Sequence, residues 1–130
     1  MYSALTHDVR VTVRPEFALE RSEPALSRYF WTYTVEIANL GPAAVQLTHR
    51  HWRITDGRGR LEEVRGPGVI GEQPVIEPGH AYSYTSGCPL ATPSGIMAGV
   101  YRMIDENGRG FDVEIPAFSL DSPFSPRTLN

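Results

Sequence analysis

Residues 65–72, Arg65-Gly66-Pro67-Gly68-Val69-Ile70-Gly71-Glu72, carry a G-x-G-x-x-G triplet. That spacing lets backbone N–H groups cradle a pyrophosphate when a strand runs in and a helix runs out. Here Pro74, Pro78 and Gly79 follow within a few residues, which blocks a helix. The position about 20 residues beyond, where a dinucleotide fold needs an acid for the ribose, holds Ser86. A dinucleotide enzyme is thereby excluded, and two readings of the loop remain. In one it is an anion nest, with Gly66, Gly68 and Gly71 curling amides around a phosphate and Arg65 supplying charge. Glu72 would repel that phosphate unless a hydrated cation bridged the two. In the other reading the glycines permit close backbone packing at a crossover, and Pro67, which removes one donor from the curl, favours it.

His49 and His51 are the other residues with ligand spacing: two apart on a regular strand, they share a face. No third ligand is evident beside them, so structural or surface roles are expected. Imidazole suits Co²⁺ better than Mg²⁺, which takes oxygen ligands. Cys88 has His80 seven intervening residues away and no G-x-S-x-G elbow accompanies it, so an inert, partly buried thiol is expected. Glu62 and Glu63 are adjacent and face opposite ways on a strand, while Asp112 and Glu114 share a solvated face opposite Phe111, Val113 and Ile115. None makes a catalytic pair, and neither catalytic residues nor a cofactor are expected.

The elements that must position these residues are strands. Val9, Val11 and Val13 alternate with polar residues in a strand over 7–19. The strongest strand, 28–39, puts Tyr29, Trp31, Tyr33, Val35 and Ile37 on one face. In the next, 44–55, Val45 and Leu47 set odd positions inward, yet Trp52 and Ile54 set even positions inward. Such a change of face predicts a β-bulge within Thr48–His51. Asp56-Gly57-Arg58-Gly59 turns into a short strand, 60–65; further strands are read at 80–86, 96–104 and 110–118, with Gly87–Gly95 as a loop and Asn107-Gly108 as a hairpin turn. About seven strands and no credible helix define an all-β fold, an immunoglobulin or fibronectin type III-like β-sandwich, with a small barrel as the alternative. One domain over 1–120 is expected, followed by a loosely held tail over 121–130 rich in Ser and Pro.

Composition narrows the function classes. The chain has 130 residues and a net charge of −3, with no basic cluster, so nucleic acid is not an expected partner. All twelve basic residues are arginine, which excludes Schiff-base and P-loop lysine chemistry. A single cysteine precludes an intrachain disulfide, and neither a long apolar run nor a leader pattern is present. A cytoplasmic protein without membrane insertion is expected.

Ordered motifs along the chain resemble the ApaG family. They are Ile54-Thr55-Asp56-Gly57, Glu63–Pro74, Ile76-Glu77-Pro78-Gly79, Tyr84–Leu90, Gly95–Met103 and Ile115–Leu120. The match extends over residues 5–120, less distinctly around Arg21–Ser27. The resemblance implies a fibronectin type III-like sandwich, known as a bacterial protein and as a domain of some eukaryotic F-box proteins and of a DNA-polymerase-interacting protein. It further implies a link to cobalt resistance and magnesium efflux, with no accepted catalytic activity. A pyrophosphate or nucleotide contact at Gly66, Gly68 and Gly71 is part of what the family implies. The expectation is therefore a non-enzymatic binding module for a protein partner still to be identified, self-associating as a homodimer through a sheet edge. The alternative is a small-molecule binder of pyrophosphate or nucleotide, with or without Mg²⁺, at the glycine loop.

Overall fold

Period-two alternation governs the chain throughout the computed structural model, which describes residues 1–125. Among these, nine strands form: β1 Tyr2–Thr6, β2 Val9–Phe17, β3 Tyr29–Asn39, β4 Val45–Asp56, β5 Leu61–Pro67, β6 Val75–Ile76, β7 Ala81–Leu90, β8 Gly95–Ile104 and β9 Gly110–Leu120. Two single-turn 3₁₀ segments, Leu19–Arg21 and Pro24–Leu26, fill the connection between β2 and β3. The strands make two antiparallel sheets in the orders β1-β2-β3-β7 and β5-β4-β8-β9, with β6 pairing the start of β4. The architecture is the expected sandwich. Its two additional strands, β1 and β6, lie outside the seven read from alternation.

The core is the inner face of both sheets. Val9, Val11 and Val13 on β2 and Trp31, Tyr33, Val35 and Ile37 on β3 are buried against Leu47 and Trp52 of β4, Tyr101 and Met103 of β8 and Phe118 of β9. Indole Nε1 of Trp31 donates to the carbonyl of Asp121 at 2.7 Å, so even this deep ring keeps its polar atom paired. Asn39, 1% exposed, ends β3 in the same way. Its amide nitrogen donates to the carbonyls of Ala43 and Ile76, and its Oδ1 accepts from the N–H of Gly41.

The phase change in β4 is a bulge. Leu47 pairs with Met103 and His49 with Arg102, leaving Thr48 as the extra residue. Val45 and Leu47 before it and Trp52 after it all reach the core. A second bulge lies between β8 and β9: Met97 opposes Phe118 and Gly99 opposes Ile115, which places the extra residue on β9 beside Pro116.

One expectation needs correction. Gly87–Pro89 is not loop: β7 continues through Gly87, Cys88 and Pro89 to Leu90, opposite β3. Proline is tolerated on an edge strand, and Gly87 leaves room for the Phe30 ring, which would lie 2.3 Å from a Cβ there. The segment after β9 is docked through Ser125: the Ser122 and Ser125 hydroxyls donate to the Pro93 carbonyl, and Phe124 packs on Phe17 and Tyr29. Positions 126–130 of the expected tail lie outside the described residues.

The sandwich is unequal at its two edges. β1 and β2 pack directly on β9, and the Thr6 hydroxyl accepts the Glu114 N–H at 3.2 Å. At the opposite edge β5 and β7 stand apart and wall a cavity. No helix among the described residues is long and apolar enough to cross a membrane.

Candidate functional site

The glycine loop sits at this splayed edge and is fastened to the Thr48 bulge. β5 pairs with β4 up to Pro67↔His49; the chain then leaves the edge and returns as β6 beside Val45 and Gln46. Thr48 faces the gap, and its carbonyl accepts the Gly68 N–H at 2.8 Å and the Gln73 side-chain amide at 2.9 Å. Val69 and Glu72 exchange backbone hydrogen bonds across a two-residue turn whose centre, Ile70 and Gly71, has φ of 42° and 79°. Positive φ at both positions is the pattern of a type I′ turn, and a β-branched residue there is strained.

Each glycine has its own reason. Gly68 has φ of 59°, and a Cβ on it would lie 2.1 Å from the Glu72 carbonyl oxygen. Gly71 supplies the positive φ of the turn with nothing near its missing Cβ. Gly66 lies within β5, where a Cβ would meet the guanidinium of Arg50 at 3.0–3.2 Å. The Gly68 and Val69 amides are bonded inside the protein and Pro67 has none, so the run of consecutive donors that an anion nest needs is interrupted.

Sequence reasoning missed Arg50. Lying two residues after the bulge, it follows Trp52 onto the inner face. Its Nη1 donates to the carbonyls of Pro67 and Gly68, both at 3.0 Å. Among the described residues no carboxylate comes within ion-pair distance of it. It lines a cavity of about 330 Å³ together with Tyr33, Tyr84, Ser86 and Cys88 on one side and Ile70 of the glycine turn on the other. Burial raises the phenol pKa of Tyr33 and Tyr84, and that of Tyr101 behind them, while the Arg50 charge pulls the other way on all three. The Tyr84 and Tyr101 hydroxyls bond to each other across the two sheets. Cys88 is buried and its thiol is pushed up to about 11, first by burial and then by the charge of Glu62. A thiol so protonated is a poor nucleophile at neutral pH.

The other expected residues are scattered. Arg65 lies on the outer face, its Nη2 3.6 Å from Glu63. Glu72 accepts a 2.8 Å hydrogen bond from the Tyr82 hydroxyl, tying the glycine turn to β7. His49 and His51 follow the bulge together and share the outer face; His49 Nδ1 lies 3.1 Å from the Thr48 hydroxyl and His51 Nε2 lies 2.9 Å from Glu63. Among the described residues no group of three or more His, Cys, Asp or Glu is placed to hold a metal ion.

Fold and site together define a fibronectin type III-like β-sandwich with one closed edge and one edge opened over a cleft. Comparison with known proteins gives the family. Residues 19–105 match the ApaG domain, and the chain is 64% identical over 130 residues to Protein ApaG of Methylocella silvestris, with full coverage of both. It is 61% identical, again over the whole of both chains, to Protein ApaG of Beijerinckia indica. A crystal structure of an ApaA protein from Bordetella pertussis superposes with a TM-score of 0.88 at 46% identity, covering 93% of this chain and 98% of that one. The chain belongs to the ApaG family.

Proposed function

We propose that this protein is a non-enzymatic interaction module that works by pairing strand β7, its first partner being a second copy of itself. The cellular setting implied by the family resemblance, divalent-cation homeostasis in the cytosol, belongs to this reading. The observation that carries it is the chemistry of the sheet edges. Strands β1 and β9 cover one another. β5 carries Glu62, Glu63, Arg65 and Pro67, the charges and proline that guard an edge against pairing. β7 runs ten residues, Ala81–Leu90, without one charged side chain, and Pro89 interrupts its donors only near the end. Its outward positions Ala81, Ser83, Thr85 and Gly87 are small and exposed, so a second strand meets no bulk on that side. Antiparallel pairing of β7 with its symmetry mate is self-complementary and gives a closed two-fold dimer.

Sedimentation from about 1 to about 100 μM tests this through mass action. The wild type is expected to pass from monomer to dimer across the range. Ala81→Lys combined with Ser83→Lys, at two exposed positions whose side chains make no hydrogen bond, is expected to remain monomeric with an unchanged melting temperature. A wild type that is strictly monomeric throughout, or a double variant that dimerises equally well, refutes the reading.

A further inference from the structure

The cleft between β5 and β7 holds a guanidinium that, among the described residues, no carboxylate pairs with at ion-pair distance. Nη1 of Arg50 is engaged by the Pro67 and Gly68 carbonyls, which fixes the plane of the group against Gly66. That leaves Nε–H and an Nη2–H, which lie along one edge of the plane as a parallel pair. Among the described residues neither bonds to a protein atom, and no nitrogen of the group is both buried and without a partner. The pair therefore remains accessible where Arg50 lines the cavity. A side-on guanidinium fork of this kind matches the two oxygens of a carboxylate.

We infer that this cleft is a binding site for a small carboxylate with an apolar body, its two oxygens on the Nε/Nη2 edge of Arg50. The cavity, about 330 Å³, falls at the lower end of the size range of small-ligand sites, about 300–1,000 Å³. Trp52, Val69, Ile70 and Met97 give it apolar wall, while the Tyr33, Tyr84 and Ser86 hydroxyls add neutral hydrogen-bonding groups. Charge sets the ligand class. The ionised residues lining the cavity are Arg50 and, from β5, Glu62, so the lining sums to zero. A single negative charge placed on Arg50 is accepted, whereas a polyanion such as pyrophosphate carries surplus charge toward Glu62. The fork is set before any ligand arrives, because the Pro67 and Gly68 carbonyls hold Nη1 in place. Preorganisation of this kind removes part of the ordering cost of binding. The site is thus distinct from the amides of the glycine loop, and it does not depend on the self-pairing of β7.

The test is an NMR titration of the ¹⁵N-labelled full chain with benzoate, its neutral isostere benzamide, and pyrophosphate. Benzoate is expected to shift the amides of Val69–Glu72 and Ser86–Cys88 together with the Arg50 Nε–H, with an affinity at least about tenfold above that of benzamide, as a charge-assisted bidentate pair requires. Arg50→Lys, which keeps the charge and loses the fork, is expected to weaken benzoate by about tenfold or more. Equal binding of benzoate and benzamide, tighter binding of pyrophosphate in the same cleft, shifts confined to other surfaces, or no shift with any probe at about 10 mM, about tenfold above a dissociation constant of about 1 mM, would each overturn the proposal. Because benzoate and benzamide are compared on the wild type, the outcome stands even if the Arg50 variant does not fold.

Discussion

Replacing Gly68 by alanine separates two kinds of glycine within one loop. The new Cβ would sit 2.1 Å from the Glu72 carbonyl oxygen and 2.8 Å from its carbon, both backbone atoms with no flexible side chain to yield. Relief requires Glu72 to move, which breaks its two backbone hydrogen bonds with Val69. At about 1 kcal/mol each these contribute about 2 kcal/mol. Holding alanine at φ of 59° adds roughly 1–2 kcal/mol. The lower entropy of the unfolded alanine chain offsets about 0.4–1 kcal/mol. The net loss is about 2–3.5 kcal/mol, or roughly 10 °C in melting temperature for a chain of this size. Gly71→Ala is the control: φ is 79°, nothing lies within 4 Å of the new Cβ, and only the conformational part remains. Its net cost is about 0–1.5 kcal/mol. Urea denaturation of the two variants beside wild type, at a common m-value, reads both numbers. Equal losses in the two variants would refute the argument that the Glu72 carbonyl is what demands glycine at position 68.

Two further outcomes follow from buried groups. Asn39→Ala removes three hydrogen bonds at a position 1% exposed and is expected to cost about 3 kcal/mol in the same assay; a loss below about 1 kcal/mol would show that water replaces the side chain. The Cys88 thiol, raised by burial from 9.0 to about 11, binds its proton more tightly in the folded than in the unfolded chain. Its contribution to stability is therefore complete below pH 9 and is lost as the pH rises toward 11, with Tyr33, Tyr84 and Tyr101 acting in the same direction. Iodoacetamide is expected to label native protein slowly at neutral pH and rapidly in denaturant. Fast native labelling at neutral pH would contradict the burial of the thiol.

Alternation made most of the sandwich legible, because each sheet buries one face. It failed where local chemistry departs from the usual turn and strand residues. The β1–β2 turn is built by His7 and Asp8, with φ of 48° and 63°, so no glycine or asparagine advertises it and β1 goes unseen. Gly87 and Pro89 read as breakers because one chain does not show that their strand lies at an edge. The bulge in β4 was visible as a switch from odd to even core positions, and the same switch in β9, from Val113 and Ile115 to Phe118 and Leu120, marks the bulge at Pro116. Arg50 was within reach of that reasoning: once the bulge precedes it, its parity with Trp52 turns it inward. What no pattern could supply is the pairing of Thr48 with the glycine loop, which joins residues 20 positions apart through a backbone carbonyl.

The unequal edges of the sandwich also set how the molecule breathes. At the β1–β9 side the two sheets are in direct contact and act as the spine of a book. At the β5–β7 side the ties across the gap include the Tyr82–Glu72 and Tyr84–Tyr101 hydroxyl bonds. The softest collective motion is therefore a fan-like opening about the spine, which breaks side-chain bonds across the gap and leaves every ladder intact. Solute can then reach the middle of the core by that route while both sheets remain folded.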